Sequence, residues 1–157
     1  MQILGWDIGG AHLKVARMTE NRELLGVHQV ACPLWRGLDQ LETAVRELLR
    51  LAAVSSGDRH AVTMTGELAD YFENRKSGVT QILFQFTQTL ETTDVQVFAG
   101  PKGFLSAQSL SEEDWEAVAS ANWLASGQWA ALRVSEGLFV DIGSTTADFV
   151  LFSDGKP

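Results

Sequence analysis

Apolar residues concentrate in three short segments at the start of the chain, 2–8 (QILGWDI), 12–19 (HLKVARMT) and 24–31 (LLGVHQVA). Each reads as a strand bounded by turn residues. Gly9, Gly10 and Ala11 separate the first two, as a tight hairpin turn needs where φ becomes positive. Glu20-Asn21-Arg22-Glu23 separates the second from the third, which Pro33 ends. The period then changes. Leu38, Leu41, Val45, Leu48, Leu49 and Ala52 recur at three and four, with Asp, Glu and Arg between them, which predicts an amphipathic helix ending near Ser55-Ser56-Gly57. HAVTMT (60–65) is short, apolar and β-branched, so it reads as a buried strand. GELADYF (66–72) and VTQILFQFTQTL (79–90) read as helical, joined by polar ENRKSG, and VQVFAG (95–100) as a further strand. Ser111 before Glu112, Glu113 and Asp114 has the form of a helix N-cap, predicting a helix through Trp115, Val118 and Ala119 to Asn122-Trp123-Leu124 that continues or restarts across Gly127 towards Leu132. Segments 138–143 and 146–152 close the chain as two strands.

The order is β-β-β-α-β-α-β-α, then a new β-β. The first eight elements predict an α/β fold, a mixed sheet with helices on its faces. The final two strands repeat the opening hairpin, so residues 1–135 are expected to form one domain. Residues 136–157 read as the first hairpin of a second, similar domain that the 157 residues do not complete.

Composition narrows the function classes. A formal charge of −8 without a basic cluster argues against nucleic-acid binding. Asp7 interrupts any N-terminal hydrophobic run, and no apolar stretch reaches membrane-span length, so neither a signal peptide nor a membrane contact is expected. Cys32 is the only cysteine, which excludes an internal disulfide, fits a reducing cytoplasm and reads as core filler. His12, His28 and His60 lack the spacing of a zinc site.

The chemistry concentrates in the repeat, GWDIGGAHLKVA (5–16) and FVDIGSTTADFVLF (139–152). Glycines in a tight turn let the backbone approach a phosphate, and consecutive N–H groups there form an anion-binding concavity. The first turn offers Gly9, Gly10 and Ala11, with Lys14 as a positive charge. The second offers Gly143 and the hydroxyls of Ser144, Thr145 and Thr146. Asp7 and Asp141 cannot bind phosphate directly, because like charges repel. They suit a hydrated Mg²⁺, which takes one or two carboxylates plus water and phosphate oxygens. Glu67 stands where the buried strand gives way to the next segment, a place for ligand contact in an open α/β sheet. It reads either as a catalytic base or metal ligand, or as a first-turn glutamate favoured by the helix dipole.

DIGGAHLK and DIGSTTAD resemble the first and second phosphate motifs of the superfamily that contains acetate kinase, sugar kinases, heat-shock chaperones and actin. The resemblance implies a ribonuclease-H-like (actin-like ATPase) domain and a nucleotide cleft between two such domains. TMTGELADYF, with the two hairpins, is most similar to the hydantoinase/oxoprolinase-like group, and within it to a branch linked to tetrahydromethanopterin and one-carbon metabolism. That branch implies a Mg²⁺-dependent transferase joining a furanmethyl diphosphate to a glutamyl-tyramine phenol. It makes Asp7, Asp141 and Glu67 the catalytic set, and the two glycine turns the cradle for ATP or a diphosphate-bearing small-molecule substrate. The alternatives are an ATP-dependent small-molecule kinase, a hydantoinase/oxoprolinase-type hydrolase, and a nucleotide switch like actin. His12 stands where the resemblance implies a small polar residue. Because the adenosine-binding motif of the superfamily lies late in the second domain, a missing second domain or an oligomer partner is expected to complete the site. Arg75 and Lys76 read as a solvated charged loop, GPKGF (100–104) as a plain turn, and Asn122-Trp123 as a helix-packing pair.

Overall fold

The computed structural model describes residues 1–92, 94–142 and 147–157. Among these residues eight strands form one large sheet and one small one, accompanied by four α-helices. The first three strands, β1 (Gln2–Ile8), β2 (His12–Thr19) and β3 (Leu24–Ala31), occupy the predicted segments and pair antiparallel as a meander. After α1 (Leu38–Leu51), β4 (Arg59–Met64) returns parallel to β1, and after α2 (Arg75–Leu90), β5 (Val95–Phe98) returns parallel to β4. A short β6 (Phe104–Ser106) folds back antiparallel on β5, giving the order β3-β2-β1-β4-β5-β6.

Alternation along the strands sends one set of side chains to each face. Leu4, Trp6 and Ile8 of β1, Leu13 and Val15 of β2, and His60, Val62 and Met64 of β4 are buried together. Against them pack Leu41, Ala44, Val45 and Leu48 of α1 and Val79, Ile82, Leu83 and Phe86 of α2. The other face of β1, β2 and β4 is built of smaller or polar residues: Gly5, Asp7, Lys14, Ala16, Ala61 and Thr63.

One polar pair sits inside this core. The Trp6 indole N–H donates to Nδ1 of His60 at 3.1 Å, and the two rings stack. Burial pushes the His60 pKa below its ordinary value, against the raising effect of Asp58 and Asp94. The folded state therefore takes up the His60 proton less readily than the unfolded chain. Stability is expected to fall as pH drops below about 6.5, where the unfolded imidazole charges first. Denaturation midpoints at pH 7.5 and 5.5 check this, and the drop is expected to shrink in His60→Gln.

Three segments differ from expectation. GELADYF is a single 3₁₀ turn, Gly66–Leu68, and α2 starts at Arg75 rather than Val79. Asn74 explains that start, because its side chain caps the helix by accepting from the Ser77 N–H at 2.9 Å. Ser111 binds the Asp114 carboxylate through both its N–H and its hydroxyl, and the helix that follows is only one turn, α3 (Trp115–Val118). Ala119 is extended and Ser120 has φ 51°, which separates α3 from α4 (Asn122–Ala131). GPKGF turns as expected, as a 3₁₀ turn over Gly100–Lys102, and leads into β6, which the sequence reading did not include.

The last strands, β7 (Gly137–Ile142) and β8 (Ala147–Phe152), form a separate two-stranded sheet. Its inner face places Phe139, Val150 and Phe152 towards α4; Val150 and Phe152 are buried. No described helix is long and apolar enough to cross a membrane.

Candidate phosphate and metal site

Asp7 is the last outward-facing residue of β1, and the turn Gly9–Ala11 follows it. The Gly9 N–H donates to the carbonyl of His12 at 3.0 Å and closes the hairpin. The turn's carbonyls point back into the fold: Ile8 accepts from the Thr65 N–H at 3.0 Å, Gly10 from Leu34 at 3.0 Å, and Ala11 from Cys32 at 2.8 Å. Among the described residues, no protein acceptor takes the N–H groups of Gly10 or Ala11. The turn is therefore tied down through its acceptors and left with free donors, the polarity an anion requires.

Gly66 makes this clamp possible. A Cβ there would lie 2.5 Å from Leu34 Cδ1 and 3.1 Å from the Ile8 carbonyl, so a side chain would wedge the 3₁₀ turn off the hairpin. Gly78 of α2 does the same one layer behind, where a Cβ would approach the Glu67 backbone to 2.9 Å.

Asp7 faces Lys14 across the β1–β2 ladder, and the Lys14 ammonium lies 3.0 Å from Oδ2. Oδ1 is shielded from solvent and has no hydrogen-bond partner among the described residues. A carboxylate oxygen in that condition fits a hard cation, which supplies the missing compensation. Among the described residues no three His, Cys, Asp or Glu side chains gather as a metal cage. A Mg²⁺ suits this donor set, because it keeps waters and shares phosphate oxygens; a tetrahedral zinc does not.

Glu67 lies behind the turn with its side chain fully buried. Its Oε1 accepts from the Ser120 hydroxyl at 2.6 Å, with the Arg75 guanidinium 3.5 Å away, and Arg75 itself donates to the Ser120 hydroxyl at 2.9 Å. Oε2 is buried without a hydrogen-bond partner among the described residues. Arg75 and Lys76, expected in a solvated loop, form the first turn of α2; Lys76 pairs with Glu112 at 2.8 Å. Ser120 carried no sequence signal, since its contact with Glu67 spans 53 residues.

Asp141 stands on β7, on the same strand face as Phe139, and its register partner on β8 is Asp148. Gly143, Ser144, Thr145 and Thr146, the expected second phosphate turn, lie outside the described residues. Asp7 and Phe139 line one trough of about 580 Å³ between the open sheet face and α4. A second groove, about 380 Å³ between α2 and the α3 segment, contains none of the turn residues.

Residues 58–157 match the hydantoinase/oxoprolinase family. The chain is 29% identical, over 98% of its length, to the (4-{4-(2-(gamma-L-glutamylamino)ethyl)phenoxymethyl}furan-2-yl)methanamine synthase of Methanocaldococcus jannaschii. It spans 44% of that relative, less than half its length. Among solved structures it is similar to an exopolyphosphatase from Cytophaga hutchinsonii (TM-score 0.55, 15% identity, 98% of this chain and 47% of that one). It is also similar to an inorganic polyphosphate/ATP-glucomannokinase from Arthrobacter (TM-score 0.59, 18% identity, 99% and 59%). These likenesses establish the actin-like, ribonuclease-H-like ATPase fold that the resemblance of the two hairpin motifs implied.

Proposed function

This chain belongs to the hydantoinase/oxoprolinase family, and from that premise we propose that it carries the phosphate half of a Mg²⁺-dependent enzyme handling a diphosphate ester. One observation carries the reading: the Gly10 and Ala11 amides, without an acceptor among the described residues, stand three and four residues beyond a carboxylate with an uncompensated oxygen. Donors for the phosphate and a ligand for its cation occur together on one hairpin.

The chemistry we propose is that of the similar synthase, by way of a furanmethyl diphosphate and a glutamyl-tyramine. The phenol oxygen forms a bond to the methylene carbon, the carbon–oxygen bond to diphosphate breaks, and diphosphate leaves with the electron pair as one proton is released. Backbone donors fixed in advance stabilise charge on a departing group without reorganising. The Gly10 and Ala11 N–H groups meet that condition because three carbonyl hydrogen bonds immobilise the turn. Mg²⁺, when bound, would add charge neutralisation at the phosphate oxygens, and Asp7 and Asp141 are the carboxylates proposed to hold it. Lys14 holds Asp7 in place, and Glu67 supports the turn from behind through Gly66. Gly143, Ser144, Thr145 and Thr146 are assigned, from their sequence alone, to the matching phosphate turn of the second hairpin.

Calorimetric titration of the chain with inorganic diphosphate tests the reading. Binding is expected in Mg²⁺ and is expected to weaken at least about tenfold in EDTA. Absence of binding in millimolar Mg²⁺ overturns it.

A further inference from the structure

Ser120 holds its backbone in the left-handed region, at φ 51°, in the link between α3 and α4. Turn shape alone favours glycine at such a position, because a side chain is crowded there. The serine has a use for its hydroxyl, which donates to Glu67 Oε1 at 2.6 Å and accepts from the Arg75 guanidinium at 2.9 Å. A disfavoured backbone kept where the side chain makes two such bonds points to a role beyond the turn itself.

That role follows from what Glu67 is attached to. Its side chain is fully buried, and among the described residues its second oxygen has no hydrogen-bond partner. Arg75 stays 3.5 Å from Oε1, so the Ser120 hydroxyl is the closest donor the carboxylate has among the described residues. The backbone around Glu67 is gripped on both sides. Gly66 lies against the carbonyls of Ile8 and Gly9, and Gly78 of α2 fits against the Glu67 backbone with no room for a side chain. A buried carboxylate that loses its donor moves towards water or a cation. Here it would draw the 3₁₀ turn away from the hairpin.

We propose that Ser120 is a positioning residue for the phosphate turn. By holding Glu67 through its hydroxyl, it fixes the Gly66 turn against the hairpin and sets the geometry of the Gly10 and Ala11 donors. Arg75 completes the device: by donating to the acceptor side of the hydroxyl, it leaves the O–H to point at Oε1. The inference rests on the phosphate reading above for its ligand. It adds to that site a residue in the link between two helices, acting only through Glu67.

The grip on the turn is measured without ligand. The amides of Thr65, Leu34 and Cys32 donate to the carbonyls of Ile8, Gly10 and Ala11, so their hydrogen exchange, followed by NMR, reports how firmly the turn is held. In Ser120→Gly, which suits φ 51° and lacks the hydroxyl, these amides are expected to exchange about tenfold faster. The amide of Val45, inside α1, is expected to keep its rate. Calorimetry in Mg²⁺ reads the consequence: Ser120→Gly is expected to weaken inorganic diphosphate binding about tenfold. In a Glu67→Met background, which removes the carboxylate and keeps the side-chain length, the same change is expected to alter affinity less than about twofold. Ser120→Ala is measured alongside, so that misfolding of one variant, seen in its thermal melt, leaves the other decisive. Unchanged exchange at the three amides, or an acceleration shared equally by Val45, overturns the positioning role. So does a loss of affinity that persists undiminished in the Glu67→Met background. Absence of diphosphate binding by the unaltered chain overturns the phosphate reading alone, and the exchange rates then decide the positioning role.

Discussion

Trp6→Ala is expected to cost about 3–5 kcal/mol of unfolding free energy, as measured by urea or guanidinium denaturation. Trp6 is 2% exposed and central to the core, edge-on to Phe86 at 5.3 Å and stacked on His60. Its removal adds a cavity to the lost transfer energy and leaves Nδ1 of His60 without its donor. Trp6→Phe separates the two effects: it restores most of the volume but not the N–H, and about 1–2 kcal/mol of loss is expected to remain. A loss below about 1 kcal/mol for the alanine variant would contradict this account of the core. The effect reaches the site as well, because Asp7 is the next residue of the same strand. A strand that settles into the Trp6 cavity carries Asp7 and the turn with it.

The second large effect is expected at Asp7, and its sign reverses with the metal. In Mg²⁺, Asp7→Ala is expected to weaken diphosphate binding by roughly a hundredfold, because the cation loses its carboxylate on this hairpin. In EDTA the same variant is expected to bind diphosphate more tightly than the unaltered chain. Removing the carboxylate removes a repulsion and releases the Lys14 ammonium, which now sits 3.0 Å from Oδ2. At such distances an unpaired charge near the surface is worth about 1–4 kcal/mol, so a change of roughly tenfold is expected. Calorimetry with and without Mg²⁺ reads both signs. A variant weakened equally in both conditions would show that Asp7 shapes the turn rather than holding a cation. Asp7→Asn serves as control, since it keeps the shape and a hydrogen-bonding oxygen while losing the charge.

How far the sequence shows this site depends on the range of each interaction. The bounds of β1, β2 and β3 follow from local apolar patterning. The same is true of α1, whose buried Leu41, Val45 and Leu48 recur at helical spacing. The glycines of the hairpin serve differently than expected: neither Gly9 nor Gly10 has a positive φ, and Gly9 is needed for close approach, since a Cβ there would lie 2.9 Å from the His12 carbonyl. GELADYF has helical composition, yet it forms a 3₁₀ turn because Gly66 must lie against the Ile8 and Gly9 carbonyls. Tertiary contact overrides propensity there. Strand β6 has three residues, too few to show a period. The Glu67–Ser120–Arg75 cluster and the walls of the trough join segments far apart in the chain, and nothing in the neighbourhood of Ser120 announces its partner. Glu67 illustrates the division. Its position after a buried strand was legible, whereas its burial with one oxygen satisfied and the other orphaned was not.

The two hairpins share the spacing Asp-Ile-Gly and a residue seven places beyond the Asp, but that residue is Lys14 in one and Asp148 in the other. Strand register makes each the direct cross-strand neighbour of its Asp. One jaw is therefore an internally neutralised dipole, and the other carries two like charges side by side, an arrangement unfavourable in an antiparallel pair. On the proposed reading, in which the two hairpins clamp one ligand, the clamp would be electrically rectified. A bare polyanion would be tolerated at the Lys14 side and repelled at the Asp148 side, while a chelated one would bring the cation that relieves the second jaw. Metal loading of the ligand would then act as an entry criterion set by a single Lys-for-Asp difference between two copies of one motif. Exchanging those two residues is expected to turn the clamp end for end.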